Sequence, residues 1–211
     1  GRVRSLLEIR LVDDGAELVV LGGEIDDLVS GFDQAIFPAD RVSIDSVKRV
    51  RRIQKIFPRQ PMRFKNVKWF RPDQVLPQSL TGLQSSTSTQ VQRWRMQHGI
   101  CLGKGELNGN NTPFELGLSD LISLHKGCYL GQERIAKLVK VGHVRKQLRF
   151  LESDSNFLVG QKLTKVLTNS VESKTIGLIT SSSVNSEKGG SFGLAMLSVS
   201  AFSEHEATFG E

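Results

Sequence analysis

The sequence predicts an α+β fold: an α+β module over residues 1–140, followed by a small C-terminal antiparallel β-barrel over residues 141–211. Two observations support this division. Runs with strand periodicity alternate with runs of helical periodicity up to about residue 140. Beyond it, short alternating runs are separated by Gly, Ser and Asn, which is typical of a small all-β unit.

The first module begins with a predicted hairpin. Arg2–Leu11 alternates apolar and polar residues, and Glu17–Leu21 is the returning strand. The run Glu24–Phe37 spaces its apolar residues three and four apart, which predicts an amphipathic helix that Pro38 ends. Arg41–Val47 alternates again and predicts a further strand.

Two more helices are predicted before the barrel. Thr89–His98 has helical spacing and precedes Gly99, a residue suited to a helix C-terminus. Gln132–Val139 is the second helix, and it is basic. The predicted barrel strands are Val144–Leu151, Lys162–Leu167, Thr175–Thr180, Gly193–Leu197 and Glu206–Phe209.

Composition excludes several classes of function. At 211 residues and 38% hydrophobic content the chain can form a core, and no apolar run approaches the roughly 18 residues of a membrane span, so we expect no membrane partner. Cys101 and Cys128 cannot form a disulfide framework, which favours a reducing compartment. The four histidines are scattered, so we expect no permanently bound metal.

The positive charge is concentrated in one block. Residues 41–71 contain eleven Lys and Arg against the single acid Asp45, a charge of +10, whereas the whole chain carries +6. Val50, Ile53, Ile56, Phe57, Phe64, Trp69 and Phe70 lie among these cations. Basic and aromatic mixtures suit single-stranded nucleic acid, so a nucleic-acid-binding module is one alternative function. A solvated face is the other interpretation, and no nucleic-acid motif is present, which makes nucleic acid an unlikely partner.

One glycine-rich stretch imitates a nucleotide site. Gly103-Lys104-Gly105 begins like a dinucleotide fingerprint, but the third glycine and the preceding strand are missing. No phosphate-binding loop of the Walker type occurs either. The sequence therefore does not predict nucleotide hydrolysis.

The most informative stretch is Lys126–Glu133, which combines a cation, two glycines, a thiol, a phenol, an amide and a carboxylate in eight residues. Glycine lets a backbone approach a ligand closely, and Gln132 begins a helix, so a ligand-facing loop is predicted. Cys128 is its one soft nucleophile, and a nearby Lys126, Arg134 or helix N-terminus would favour the thiolate. The alternative is a small buried thiol in an ordinary turn.

These residues resemble the signature of the YgfZ-type folate-binding proteins, relatives of the glycine-cleavage T-protein that serve in iron-sulfur protein maturation. Arg95–Ile100, Pro113–Leu118 and Gly142–Leu148 are similar to further stretches of the family. Family members carry a segment before the strand that resembles residues 1–3, so the resemblance implies that the N-terminal part of the first module is absent from this chain.

The resemblance implies a T-protein-like folate-binding module of ferredoxin-like α/β sandwiches, followed by the barrel. It also implies an accessory factor in the maturation of 4Fe-4S proteins rather than a turnover enzyme. The alternative is a tetrahydrofolate-dependent aminomethyl or one-carbon transferase. The implied partners are iron-sulfur assembly or client proteins and folate. The implied location is the mitochondrial matrix after removal of a transit peptide, with the plastid stroma as the alternative, or the cytoplasm of a bacterium.

The resemblance also assigns site residues. Cys128 is the motif thiol and a possible transient iron contact; the active group around it is completed by Lys126, Tyr129, Gln132 and Glu133. Tetrahydrofolate, the implied cofactor, would be bound by Arg95, Gln97, Gly127 and Gly131. T-proteins place a glutamate where this chain has Gln97, and an amide keeps hydrogen bonding to a pterin edge without the charge.

Overall fold

The computed structural model describes residues 1–56, 64–166, 173–186 and 188–201. Phe57, His205 and the predicted strand Glu206–Phe209 lie outside these ranges, as does the end of the predicted strand Lys162–Leu167. The described part is a mixed α/β structure with three separate antiparallel sheets. None of its helices is long and apolar enough to cross a membrane.

The N-terminal hairpin is confirmed. β1 (Leu6–Val12) pairs antiparallel with β2 (Gly15–Gly22) around a tight turn. Helix α1 (Ile25–Asp33) follows, with Asp26 and Asp27 in its first turn, where carboxylates favour the positive end of the helix dipole. Helix α1 ends at Asp33, before the end of the predicted run Glu24–Phe37, and Pro38 instead begins a separate 3₁₀ turn, Pro38–Asp40.

The basic block folds differently from the prediction. The predicted strand Arg41–Val47 is wrong, because residues 41–50 have no regular secondary structure and are exposed throughout. An alternating pattern forms a strand only where a neighbouring strand takes up its backbone groups, and none pairs with it here among the described residues. Instead, β3 (Arg51–Gln54) and β4 (Val67–Phe70) form a second small sheet, which the pattern did not indicate.

Three helices occupy the middle of the chain. The short α2 (Gln78–Thr81) precedes α3 (Ser88–Gln97), and α4 (Gln132–Val141) comes later. Helix α3 begins in a capping box, in which Thr87 and Gln90 exchange side-chain to backbone hydrogen bonds. Gly131 and Gly142, both in the left-handed conformation, bound α4. The predicted helices near residues 89–98 and 132–139 are confirmed.

The C-terminal strands form an open sheet rather than the predicted barrel. β5 (Lys146–Ser153), β6 (Lys162–Val166), β7 (Ser173–Val184) and β8 (Ser191–Ser198) lie in the order β5-β8-β7-β6. A barrel requires the two outer strands to pair, whereas β5 and β6 are opposite edges of the described sheet. The outer edge of β5 donates instead from the Leu148 N–H to the Glu115 carbonyl, 2.8 Å away.

One hydrophobic cluster draws on residues from both sides of position 140. Leu116 and Met96 lie in it beside Phe192 and Leu194 of β8, all four at most 2% exposed. A second, smaller cluster surrounds Ile179 and Leu197 within the C-terminal sheet. The sheet thus packs on the segment that precedes it, and the domain boundary at residue 140 stays a prediction.

Candidate functional site

The thiol loop, residues 124–131, leads directly into α4 and is held by the first residue of that helix. The side-chain amide nitrogen of Gln132 donates to the Leu124 carbonyl, and its amide oxygen accepts from the Tyr129 N–H. Both hydrogen bonds are 3.3 Å long. The Gln132 N–H also donates to the Tyr129 carbonyl. One glutamine side chain therefore spans the loop and fixes both of its halves.

Tyr129 is the internal anchor of the thiol loop. Its ring is half-buried, and the Lys126 ammonium lies 4.8 Å from the ring centroid, within the range of a cation–π contact. The phenol oxygen is buried and has no hydrogen-bond partner within the described ranges. Lys126 therefore lies against the ring of Tyr129 rather than extending freely into solvent.

The residues on either side of Tyr129 face outward. Cys128 is exposed and unbonded to the other cysteine, and Leu130 is 102% exposed. The interpretation of Cys128 as a small buried thiol is therefore wrong, because it is Cys101 that lies fully in the core. An accessible thiol on an anchored loop can contact iron, sulfide or the thiol of a partner.

The two glycines of the loop serve different needs. Gly131 has a φ of +86°, which a residue with a Cβ adopts only under strain, and this allows the chain to turn into α4. Gly127 has no neighbouring atom within 4 Å of the place where a Cβ would stand. Glu133 and Arg134 are exposed on the first turn of the helix.

The two predicted folate residues of α3 do not face the same way. Arg95 is half-buried and donates to the Ile100 carbonyl at 2.9 Å and to Gln92, and burial lowers the pKa of its guanidinium, which Glu106 partly offsets. Gln97 is exposed, and residues two apart on a helix point to different faces. No hydrogen bond or ion pair of the described residues joins either one to the thiol loop.

A shared cluster able to hold a metal is also missing from the described ranges, where no three His, Cys, Asp or Glu side chains come together. Within the thiol loop, Cys128 and His125 are the candidate metal ligands. A 4Fe-4S cluster needs four ligands, so this loop cannot hold one by itself.

Comparison with known proteins gives two relatives of partial coverage, and no protein-family profile matches the chain. The chain is 41% identical over 78 residues to the mitochondrial iron-sulfur cluster assembly factor IBA57 homolog of Coccidioides immitis (strain RS), covering 36% of the chain and 18% of that protein. It is 31% identical over 112 residues to a chloroplastic protein of Arabidopsis thaliana named as a candidate transferase, covering 53% of the chain and 24% of that protein.

These names agree with the two organelles and with the iron-sulfur role implied by the thiol-loop residues. The chain spans about a quarter or less of the length of the curated relatives that it matches, 24% and 18%. The similarity supports the predicted family, and the branch within it stays a prediction.

The residue that the sequence analysis missed is Glu106, which is fully buried. Its carboxylate accepts from the Gly103 N–H and from the Ser181 hydroxyl of β7, each at 2.7 Å. Arg95 interacts with it electrostatically. Gly103 and Gly105, which imitated a nucleotide fingerprint, are instead required for close packing against this carboxylate and against Thr180. The available signal was an acidic residue between Gly105 and Leu107, shortly after the apolar residues 100–102.

Part of the basic block is neutralised inside the protein. Arg52 donates to both carboxylate oxygens of Glu8, and the Trp69 indole N–H donates to the same carboxylate at 2.8 Å. Arg51 donates to backbone carbonyls of the segment after β4. Arg51 and Arg52 therefore stabilise the sheet of β3 and β4, and their guanidinium groups are not free to bind an external anion.

Proposed function

We propose that this chain acts in the maturation of iron-sulfur proteins, as an accessory factor in which Cys128 makes transient contact with the cluster or its iron. The observation that carries the proposal is the thiol loop: an exposed thiol held beside an anchored tyrosine. The similarity to an iron-sulfur cluster assembly factor supports the same function. A mitochondrial or plastid location follows from the names of both relatives.

The chemistry asked of the chain is ligand exchange. The Cys128 thiol loses its proton to solvent as its sulfur binds an iron atom and displaces a weaker ligand, with no change in oxidation state. Because one thiolate cannot hold a four-iron cluster, the remaining ligands come from a carrier or client protein. The cluster is thus cargo that the loop contacts during transfer.

Cluster transfer to a 4Fe-4S client tests the role of the thiol. With Cys128→Ala, we expect the rate at which an apo-client regains activity to fall by at least about tenfold, while the free energy of unfolding changes by less than about 0.5 kcal/mol. The control is Ser155→Ala, an exposed serine outside the thiol loop. Full transfer by Cys128→Ala would remove the thiol from the mechanism.

Thiol titration provides the accompanying structural check. Cys128 should react with a thiol reagent in the folded chain, and Cys101 only after unfolding, because the first is exposed and the second buried. Equal reaction rates of the two cysteines in the native protein would contradict the difference in exposure between Cys128 and Cys101.

Tetrahydrofolate binding is a separate part of the proposal. Arg95 does not fit a folate ligand, because its guanidinium is engaged with Ile100 and Gln92 inside the protein, whereas Gln97 is accessible. No chemical step is therefore assigned to folate. Calorimetric titration with tetrahydrofolate tests the binding itself: if Gln97 contributes, Gln97→Ala weakens the binding and Gln97→Glu strengthens it. Equal heats for all three chains would exclude Gln97.

A second candidate function is a tetrahydrofolate-dependent aminomethyl transfer, favoured by the transferase name of the Arabidopsis relative. Methylene transfer from an aminomethyl-lipoyl carrier to tetrahydrofolate would establish it. If that turnover is absent while cluster transfer is active, the transferase function is excluded and the maturation role is retained.

A further inference from the structure

A groove with a volume of about 500 Å³ lies between the two hairpins β1-β2 and β3-β4. Glu8, Ile9 and Arg10 of β1 border one side, and residues 67–70, which are the whole of β4, border the other. Consecutive residues of a strand point alternately to opposite faces of a sheet. A groove bordered by consecutive residues of two strands is therefore a slot between two strand edges, not a depression on one sheet face.

Both edges have unused backbone groups. Among the described residues, β1 pairs only with β2 and β4 only with β3, in two separate two-stranded sheets. No backbone hydrogen bond in the described part of the chain joins β1 to β4. Alternate residues of an edge strand direct their N–H and C=O groups away from the paired neighbour, and such rows readily pair with an added strand.

Side chains on one face hold the two hairpins in position across the slot. The Glu8 carboxylate of β1 accepts from Arg52 of β3 at 3.1 Å and from the Trp69 indole of β4 at 2.8 Å. Glu8 and Arg52 have side chains only 16% and 23% exposed, so this bridge is partly shielded from solvent. A strand added between β1 and β4 would form one five-stranded sheet in the order β2-β1-added strand-β4-β3.

The lining identifies the chemistry of that strand. Ile9, which is 61% exposed, and the half-buried Val67 and Trp69 offer apolar surface, whereas Phe70 is buried. The charged groups are Arg10, whose guanidinium also contacts Glu17, and Lys68, whereas Glu8 is neutralised by Arg52. Lys68 has no acidic partner among the described residues. The accessible charge of the slot is positive, so an acidic side chain complements it.

We propose that the slot between β1 and β4 binds an extended acidic segment of a partner protein by β-strand addition. Backbone hydrogen bonds to both edges supply affinity, and alternate apolar and acidic side chains supply specificity. β4 has four residues, so the recognised segment is about four to six residues long. The segment would place its carboxylates on the face of Lys68 and its alternate, apolar side chains on the opposite face, beside Val67 and Trp69.

The probe is a blocked six-residue peptide of alternating glutamate and valine, added to the intact chain carrying Trp94→Phe. Trp69 is then the only tryptophan, and it borders the slot. We expect a saturable change in its fluorescence and a Kd on the order of 10–100 µM. Amide signals of residues 8–10 and 67–70 should become protected from hydrogen exchange.

Two further peptides separate strand addition from other binding. The same peptide methylated at alternate backbone nitrogens should bind at least about tenfold more weakly, because it loses backbone donors. A lysine and valine peptide should also bind more weakly than the glutamate peptide. Lys68→Glu should reverse that preference, whereas Lys162→Glu, an exposed residue of β6, should leave it unchanged.

The results that overturn the proposal are equally definite. Equal binding of the methylated peptide, or no binding at millimolar concentration, would exclude strand addition. Self-association of the chain without peptide, with protection of the same amides, would show that a second copy of the chain occupies the slot. Displacement of the peptide by a single-stranded oligonucleotide would show that the slot binds nucleic acid. None of these results depends on Cys128, so the proposed function can fail or succeed independently.

Discussion

Two glycine-containing stretches, residues 103–106 and 126–133, resemble each other in sequence but differ in structure. In the first, Cβ atoms on Gly103 and Gly105 would stand 2.5 Å from the Glu106 carboxylate and from the Thr180 carbonyl. In the second, Gly127 has open space around it and Cys128 is exposed. Glycine can therefore allow either dense packing or the presentation of neighbouring side chains, and only its surroundings distinguish the two.

The buried carboxylate of the first stretch should give the largest effect. Glu106→Ala leaves the Gly103 N–H and the Ser181 hydroxyl without their acceptor and Arg95 without its nearby charge. We expect a loss of about 3–5 kcal/mol in the free energy of unfolding, measured by urea denaturation. Glu106→Gln keeps an acceptor and should cost about 1–2 kcal/mol. A loss below 1 kcal/mol for Glu106→Ala would place the carboxylate in water.

The glycines themselves provide the next test. Gly105→Ala should lower the free energy of unfolding by about 3 kcal/mol, because its methyl group would meet backbone atoms of Thr180 that cannot rotate away. Gly127→Ala is the matched change in the thiol loop and should stay within about 0.5 kcal/mol of the wild type. Similar losses for the two variants, measured by the same denaturation, would remove the distinction between the stretches.

A smaller effect is expected at the entry to α4. Gly131→Ala places a Cβ on a residue with a φ of +86° and 2.5 Å from the Gly1 backbone nitrogen, so we expect a loss of about 1–2 kcal/mol in stability. Cluster transfer should weaken as well, because the thiol loop and α4 meet at this residue. Gly160→Ala, at the same φ of +86° but outside the loop, is the control for strain alone. Equal transfer by both variants would show that the turn does not position Cys128.

The smallest effect concerns a surface pair outside both stretches, Arg93 of α3 with Glu152 of β5. The hydrogen bond from Arg93 holds the pKa of Glu152 below its ordinary value. A lowered folded pKa stabilises the protein above about pH 4.3, and this contribution is lost as the pH falls through the folded pKa. Glu152→Gln should therefore cost less than about 0.5 kcal/mol at pH 7, because solvent screens the pair, and nothing at low pH. A cost that grows on acidification would contradict this sign.

Much of the local structure could be predicted from the pattern of residues. The hairpin of β1 and β2 was indicated by alternation around a turn, and α3 and α4 were indicated by helical spacing, with Gly99 marking the end of α3. The strand predicted at residues 41–47 was wrong, because no strand of the described residues pairs with this segment despite its alternating pattern. The barrel was wrong for a related reason: strands can be read locally, but which edges meet depends on long-range pairing.

For the candidate site, the sequence by itself placed in one short run the residues that the proposed function uses: Cys128, Tyr129 and Gln132. It also determined the glycine that turns this run into α4. Tertiary structure alone decided that Cys128 faces solvent while Cys101 lies in the core. It likewise decided that Arg95 is held inside, that Glu106 closes a buried junction with β7, and that β1 and β4 face each other across a slot. The physical reason is that burial, charge pairing and strand neighbours arise between residues distant along the chain, where no local spacing records them.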